Sequence, residues 1–80
     1  MIDIDVKLFA SLRNKHPKHD WSHPMRVQLA DSATCGDLVA HFDFPFPRSI
    51  FAVVNGARRK MEWPLNHGDE VGLVPPAGGG

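Results

Sequence analysis

Hydrophobic and polar residues alternate with a period of two at the start of the chain, over residues 2–8 (IDIDVKL). This alternation is typical of a half-buried β-strand, whose inward residues are Ile2, Ile4, Val6 and Leu8. Residues 25–29 (MRVQL) alternate in the same way and predict a second strand, antiparallel to the first. Between the two strands, residues 9–14 predict a short helical turn and residues 14–24 a polar loop with two prolines.

The middle of the chain changes to helical spacing. Leu38, Val39 and Phe42 fall on one face of a helix. Thr34 precedes them as a potential N-cap, and Asp37 favours the positively charged end of the helix. The helix must end before Pro45, because a proline disfavours helical geometry in the residue that precedes it.

The last third of the chain predicts three more strands. Residues 50–54 (IFAVV) are apolar without interruption, which is typical of a central strand buried on both faces. The dipeptide Asn55-Gly56 is the strongest short hairpin signal, and residues 57–61 are the predicted return strand. Residues 70–74 (EVGLV) predict a last strand that runs directly into the terminal PPAGGG.

The order of these elements is β-β-α-β-β-β, with one helix that can cross the sheet. A mixed sheet of four or five strands covered by one main helix is the β-grasp (ubiquitin-like) arrangement, an α+β fold. We therefore expect a β-grasp domain over residues 1–74 and a flexible Gly-Gly tail over residues 75–80.

Composition limits the function classes. Nine basic residues balance nine acidic ones, so no overall charge attracts the chain to nucleic acid or to an anionic membrane. No apolar run approaches the roughly 20 residues that span a bilayer, and no secretory signal is present. The single cysteine fits a reducing compartment. A cytoplasmic protein is the expectation.

Several short stretches recur together in a known family. The opening VKLFASLR is one of them, and the others lie between residue 54 and the C-terminus: Val54-Asn55, Pro64-Leu65, Gly68-Asp69-Glu70-Val71, Pro75-Pro76 and Gly79-Gly80. In this order and at this spacing they resemble the ubiquitin-like sulfur carriers of the MoaD and ThiS family. The resemblance covers residues 1–12 and 50–80, whereas over residues 13–24 MoaD proteins usually carry a helix.

This resemblance implies a mechanism centred on the C-terminus. A ubiquitin-activating-type enzyme would use ATP to adenylate the carboxylate of Gly80, and a sulfur donor would then displace AMP to leave a thiocarboxylate. The chain itself would bind no cofactor and would not be an enzyme. Its sulfur would go to an acceptor enzyme, foremost the large subunit of molybdopterin synthase, with this chain as the small subunit.

The resemblance also assigns roles near the tail. Gly79 would leave clearance inside the partner's site, where a Cβ would clash, and Ala77 and Gly78 would be spacers. Pro75 and Pro76 would stiffen the exit of the tail. A docking surface beside the tail would draw on the sheet, with Phe51, Val53, Leu73 and Val74 as candidates for an exposed apolar patch and Arg58 and Arg59 as basic contacts. MoaD-like carriers often have an aromatic residue where this chain has Val74.

Other functions stay open from the sequence. Within the same class, the sulfur could serve thiamine, tungsten-pterin, cysteine or tRNA thiolation pathways. From a different class, the chain could be a ubiquitin-like binding module or protein modifier. A nucleic-acid role is disfavoured, because the sequence lacks the aromatic and basic platform of single-strand binders.

Some individual residues also allow a second interpretation. Cys35 could be a nucleophile, but free cysteine is most often buried packing. His16, His19 and His23 invite a metal interpretation, yet a solvated loop is favoured, so no metal site is predicted. The Arg58-Arg59-Lys60 cluster is either a patch for an acidic partner or protection of an edge strand. Trp21 and Trp63 are predicted to anchor loops or fill the core.

Overall fold

A computed structural model describes residues 1–45 and 49–76 of the chain. Five strands, one α-helix and one 3-10 helix make up the described part. In chain order they are β1 (Ile2–Leu8), the 3-10 helix (Ala10–Lys15), β2 (Met25–Leu29), α1 (Cys35–Phe42), β3 (Phe51–Val54), β4 (Ala57–Arg59) and β5 (Glu70–Val74). Within these residues, no helix has the length and hydropathy needed to cross a membrane.

The five strands form one sheet in the order β2-β1-β5-β3-β4. β1 and β5 run parallel, with Leu8 opposite Leu73, and the other pairs are antiparallel. The last strand of the sequence therefore lies at the centre of the sheet. One helix covers one face of this mixed sheet, which confirms the predicted β-grasp fold.

Helix α1 begins where the sequence predicts. The Thr34 hydroxyl accepts a hydrogen bond from the Asp37 N–H at 3.2 Å, and the Asp37 carboxylate accepts one from the Thr34 N–H at 2.9 Å. This reciprocal capping box satisfies backbone groups that have no partner within the helix. The buried face of α1 consists of Cys35, Leu38, Val39 and Phe42, and it packs on the inward residues of β1 and β5.

Strand β3 differs from the prediction of burial on both faces. Ala52 and Val54 are buried, but Phe51 and Val53 are only half-buried. The reason is that the single α-helix covers one side of a five-stranded sheet and leaves the other side open. The predicted burial of β3 is wrong for its outward residues, and the predicted return strand, residues 57–61, is shorter than expected, since β4 ends at Arg59.

The β3–β4 turn at Asn55 and the turn before β5 at Asp69 are joined by hydrogen bonds at one end of the sheet. The Asn55 side-chain amide donates to Asp69 Oδ1 at 3.0 Å, and the Glu70 N–H donates to Asn55 Oδ1 at 2.9 Å. Asp69 Oδ2 also accepts the Asn66 N–H at 2.8 Å. Asn55 lies in the two-residue β3–β4 turn with a positive φ of 49°, which asparagine tolerates better than most residues. These contacts give Asn55 and Asp69 a structural role.

Replacing Asp69 by alanine should therefore destabilise the domain. The substitution leaves the Asn66 N–H and the Asn55 amide without their acceptor, and we expect a loss of about 1–3 kcal/mol in the free energy of unfolding. Urea denaturation of Asp69→Ala measures this loss. The control Glu62→Ala, at an exposed carboxylate, should stay within about 0.5 kcal/mol of the parent chain. Equal stabilities for the two variants would contradict the proposed role of Asp69.

Candidate functional site

The tail leaves the domain from the central strand of the sheet. Val74, the last residue of β5, lies opposite Phe51 of β3, and the Phe9 N–H donates to the Leu73 carbonyl at 3.1 Å on the other side. Pro75 is half-buried and Pro76 is exposed. The predicted acyl carrier Gly80, with Gly79, Gly78 and Ala77, lies outside the described residues. The position from which the tail departs is thus held by ladder contacts on both sides.

An apolar surface lies beside this exit, on the face of the sheet that α1 does not cover. We name it the open-face patch and define it as Phe9, Phe51, Val53, Gly72 and Val74. Phe51 lies opposite Val74 and Val53 opposite Gly72, so the strand register brings them together. A shallow groove of about 480 Å³ runs along the patch and reaches Lys7 and Glu70. An exposed apolar surface of this kind is suited to contact with a partner protein.

Of the four residues predicted to form an apolar patch, the structure assigns three to this face. Phe51, Val53 and Val74 are half-buried, whereas Leu73 is 0% exposed and belongs to the core. Successive side chains of a strand point to opposite faces, so Leu73 and Val74 cannot both be outward. Leu73 is therefore a core residue and not part of the open-face patch.

Phe9 is the member of the patch that the sequence interpretation missed. It is 39% exposed, and its ring covers Gly72 so closely that a Cβ on Gly72 would lie 2.9 Å from Phe9 Cε2. A glycine at position 72 therefore makes room for the ring. The alternation of β1 contained a usable signal, because Phe9 continues the outward series of Asp3, Asp5 and Lys7 with an aromatic residue.

The two arginines predicted to contact a partner lie on opposite faces. Arg58 is opposite Val53, and its guanidinium carbon lies 4.3 Å from the centroid of the Phe51 ring, next to the open-face patch. Arg59 is opposite the buried Ala52, and its guanidinium carbon lies 4.0 Å from the centroid of Trp63. Only Arg58 thus adjoins the patch. Trp63 is 40% exposed and does not fill the core as predicted.

Cys35 does not have the environment of a reactive thiol. The side chain is fully buried, and burial raises the pKa of the Cys35 thiol above its usual range. The helix N-terminus beside it is already occupied, since the Cys35 N–H donates to the Trp63 carbonyl at 3.0 Å and the Gly36 N–H to the Met61 carbonyl at 2.8 Å. These features agree with a packing role for Cys35.

Thiol labelling tests this role. We expect native Cys35 to react with Ellman's reagent at least about a hundredfold more slowly than the urea-unfolded chain, because the thiolate is both inaccessible and disfavoured. A raised pKa in the folded state also means that stability falls as the pH rises above the unfolded thiol value of about 8.5. Labelling at equal rates in the native and unfolded chains would show that the thiol is accessible.

The histidine-rich loop uses its side chains for local contacts. The His19 Nε2 lies 3.0 Å from the His23 carbonyl, and the Trp21 indole N–H donates to the His16 carbonyl at 3.2 Å. The His16 ring packs edge-on against Phe42 of α1, which attaches the loop to the helix. In the part of the chain that the structure describes, no three residues among His, Cys, Asp and Glu converge as a metal site would require.

The chain is similar to a known protein family and to several solved structures. The sequence model of the ThiS family matches residues 6–80. A comparison with curated protein sequences finds no match. Among solved structures, the chain is similar to small archaeal modifier protein 1 from Haloferax volcanii, with 26% identity, a TM-score of 0.69, and 98% of this chain and 99% of that chain covered.

Two further solved structures share the fold. A protein from Pyrococcus furiosus that is proposed to be molybdopterin converting factor subunit 1 has 21% identity and a TM-score of 0.75, with 96% of this chain and 100% of that chain covered. A ubiquitin from Caldiarchaeum subterraneum has 18% identity and a TM-score of 0.61, with 99% and 98% covered. The family match spans nearly the whole chain, and the chain therefore belongs to the ThiS family of small ubiquitin-fold sulfur carriers and modifiers.

Proposed function

We propose that this chain carries sulfur as a thiocarboxylate on Gly80, and that it serves molybdopterin synthesis as the small synthase subunit. The observation that carries the proposal is the ThiS family match over residues 6–80, which includes the Gly79-Gly80 pair. The geometry supports it, because β5 lies at the centre of the sheet and leads directly into Pro75-Pro76 beside the open-face patch.

The proposed chemistry takes place in two steps on one carbonyl carbon. An oxygen of the Gly80 carboxylate attacks the α-phosphorus of ATP, and pyrophosphate leaves to give an acyl adenylate. Sulfide, as HS⁻, then attacks the carbonyl carbon and displaces AMP, and loss of its proton leaves the thiocarboxylate. Activation of the acyl group divides one difficult substitution into two easier ones. ATP is bound and used by the activating partner, and members of this family work with E1-like adenylating enzymes of this kind.

The domain contributes binding and positioning to this reaction. Phe51, Val53 and Val74 offer a partner an apolar contact beside the tail, and Arg58 adds a positive charge at the edge of that contact. Pro75 and Pro76 have fixed φ angles, so fewer conformations are lost when the tail enters the partner's site. Gly79 keeps the approach to the carbonyl free of a Cβ.

The choice of the molybdopterin pathway rests on sequence motifs and on a shared fold. It draws on the VKLFASLR opening, on the GDEV-to-PP spacing, and on the fold shared with the Pyrococcus furiosus protein. Val74 is smaller than the aromatic residue common at this place in MoaD-like carriers, so thiamine, tungsten-pterin, cysteine and tRNA thiolation are the alternative pathways.

Mass spectrometry of the intact chain tests the proposal. The native chain is incubated with the E1-like enzyme of its own organism, ATP and sulfide. We expect the chain to gain the mass difference between one sulfur and one oxygen atom, located at Gly80 by fragmentation. Omission of ATP is the control. Absence of the gain with an enzyme that adenylates the chain would contradict the thiocarboxylate.

A protein-modifier function is the second candidate, and the likeness to small archaeal modifier protein 1 favours it. In that case, Gly80 would form an isopeptide bond with the amino group of a lysine on a target protein. Tandem mass spectrometry of trypsin-digested cell extracts distinguishes the two, since a modifier leaves its own C-terminal peptide on lysine side chains. The last tryptic site of this chain is Lys60, so that remnant is residues 61–80. Sulfur transfer to an acceptor without any such remnant would favour the carrier.

A further inference from the structure

We propose that the outer edge of β4 binds an extended acidic segment of a partner protein, which adds to the sheet as a sixth strand. β4 has β3 on one side and is the last strand of the sheet. The inference goes beyond the proposed function, because binding at this edge requires neither Gly80 nor its sulfur.

The backbone of β4 presents hydrogen-bonding groups on this edge. The turn at Asn55-Gly56 has two residues with positive φ angles of 49° and 89°, and Val54 lies opposite Ala57. In a two-residue hairpin the pair that closes the turn exchanges hydrogen bonds, and the next pair does not. The Arg58 N–H and carbonyl, opposite Val53, therefore point away from β3. They are available to a further strand.

The charge of this edge is mainly positive, with three basic residues and one acidic residue, Glu62, along the same groove. Arg58, Arg59 and Lys60 are consecutive and exposed. Across residues 1–45 and 49–76, none of the three has a carboxylate within 4.0 Å. The chain as a whole has no net charge, so this edge is a local concentration of positive charge. An acidic segment would supply the missing partners, while a second copy of β4 would bring arginine against arginine.

The edge is also held in a fixed conformation. Arg58 lies over the Phe51 ring and Arg59 over the Trp63 ring, so each guanidinium group is already stacked in place. The segment after β4 is tied to α1 by the hydrogen bonds from Gly36 to Met61 and from Cys35 to Trp63. An open groove of about 520 Å³ lies along this edge between Phe51 and Met61. A preformed edge loses little conformational entropy when it binds.

The position of the edge relates it to the tail. Arg59 lies opposite Ala52, and the neighbouring Phe51 lies opposite Val74, the residue before Pro75-Pro76. A strand added along β4 would lie three strand positions from β5, about 14 Å away at the usual strand spacing. One partner protein can contact both the edge of β4 and the tail, but different residues determine each contact.

The test uses the full chain and a synthetic peptide of alternating glutamate and valine with blocked termini. We expect binding in low salt by isothermal titration calorimetry, and slower hydrogen exchange at the Arg58 amide on addition of peptide. Arg58→Glu and Lys60→Glu should each weaken binding at least about tenfold, while Lys18→Glu, with the same change of charge in the loop, should change it less than about twofold. Two edge variants are used so that one remains informative if the other fails to fold.

Two controls separate strand addition from general attraction between charges. The same peptide with N-methyl groups on alternate residues keeps its charges and loses backbone donors on one edge, so it should bind at least about tenfold more weakly. A chain lacking Gly79 and Gly80 should bind the parent peptide unchanged. No binding, equal effects of Lys60→Glu and Lys18→Glu, or equal affinity for the N-methylated peptide would each overturn the proposal.

Discussion

A chain that lacks Gly79 and Gly80 is expected to gain no sulfur at all, while its domain stays folded. The reacting group of the proposed mechanism is the carboxylate of Gly80. The truncated chain ends in a carboxylate on Gly78, two residues earlier, and this shorter tail does not bring its carboxylate to the adenylation site of the activating enzyme. The described domain packs without these residues, since the ladder contacts of β5 end at Val74. Mass spectrometry after incubation with the activating enzyme, ATP and sulfide measures the loss, and circular dichroism checks the fold.

Single substitutions in the tail sharpen this prediction. We expect Gly78→Ala to load sulfur at close to the rate of the parent chain, because Gly78 is a spacer. Gly79→Ala should load at least about tenfold more slowly, since a Cβ beside the reacting carbonyl displaces it from the productive position. A truncated chain that still serves its acceptor enzyme would refute the thiocarboxylate proposal. Equal loading by the two alanine variants would refute only the clearance role of Gly79.

Leu73→Ala is expected to be the most destabilising of the substitutions considered. Leu73 is 0% exposed at the centre of the core, and truncation of such a leucine to alanine costs about 2–5 kcal/mol. A domain of 80 residues has about 4–12 kcal/mol of stability in total, so a large share would be lost. Urea denaturation followed by circular dichroism measures the change.

The neighbouring Val74→Ala is the matched comparison. Val74 is half-buried on the open face, so we expect it to lose less than about 1 kcal/mol of stability. Its effect should instead be weaker binding to the activating enzyme, measured by calorimetry with the tail intact. A larger loss of stability for Val74→Ala than for Leu73→Ala would contradict the assignment of the two faces.

Local patterns in the sequence were sufficient for most of the elements. The period-two alternation places β1 and β2 at the residues where the structure has them, and the strand predicted over residues 70–74 coincides with β5. Thr34 with Asp37 marks the start of α1. The hairpin at Asn55-Gly56 has the positive φ angles that this dipeptide favours. These features depend on interactions between residues close in sequence, and such interactions can be inferred from a single chain.

The prediction for β3 shows where local patterns are insufficient. An uninterrupted apolar run is compatible with burial on both faces, and also with a strand that has one face in the core and one face partly exposed. In the structure, β3 has one face in the core and one face partly exposed, because one helix covers one side of the sheet. Trp63 also lies outside the core, on the surface beneath Arg59 and on the other face of the sheet.

The candidate site depends on contacts between distant parts of the chain. Phe9 becomes part of it because Gly72, far along the sequence, leaves space under its ring. Arg58 and Arg59 are adjacent in sequence, but the β3–β4 register sends one towards Phe51 and the other towards Trp63. The Gly-Gly tail and the alternation of apolar and polar residues in a strand can be recognised from neighbouring residues alone. Which apolar side chains stay exposed was settled only by the pairing of strands and the single covering helix, because burial is a property of the assembled sheet.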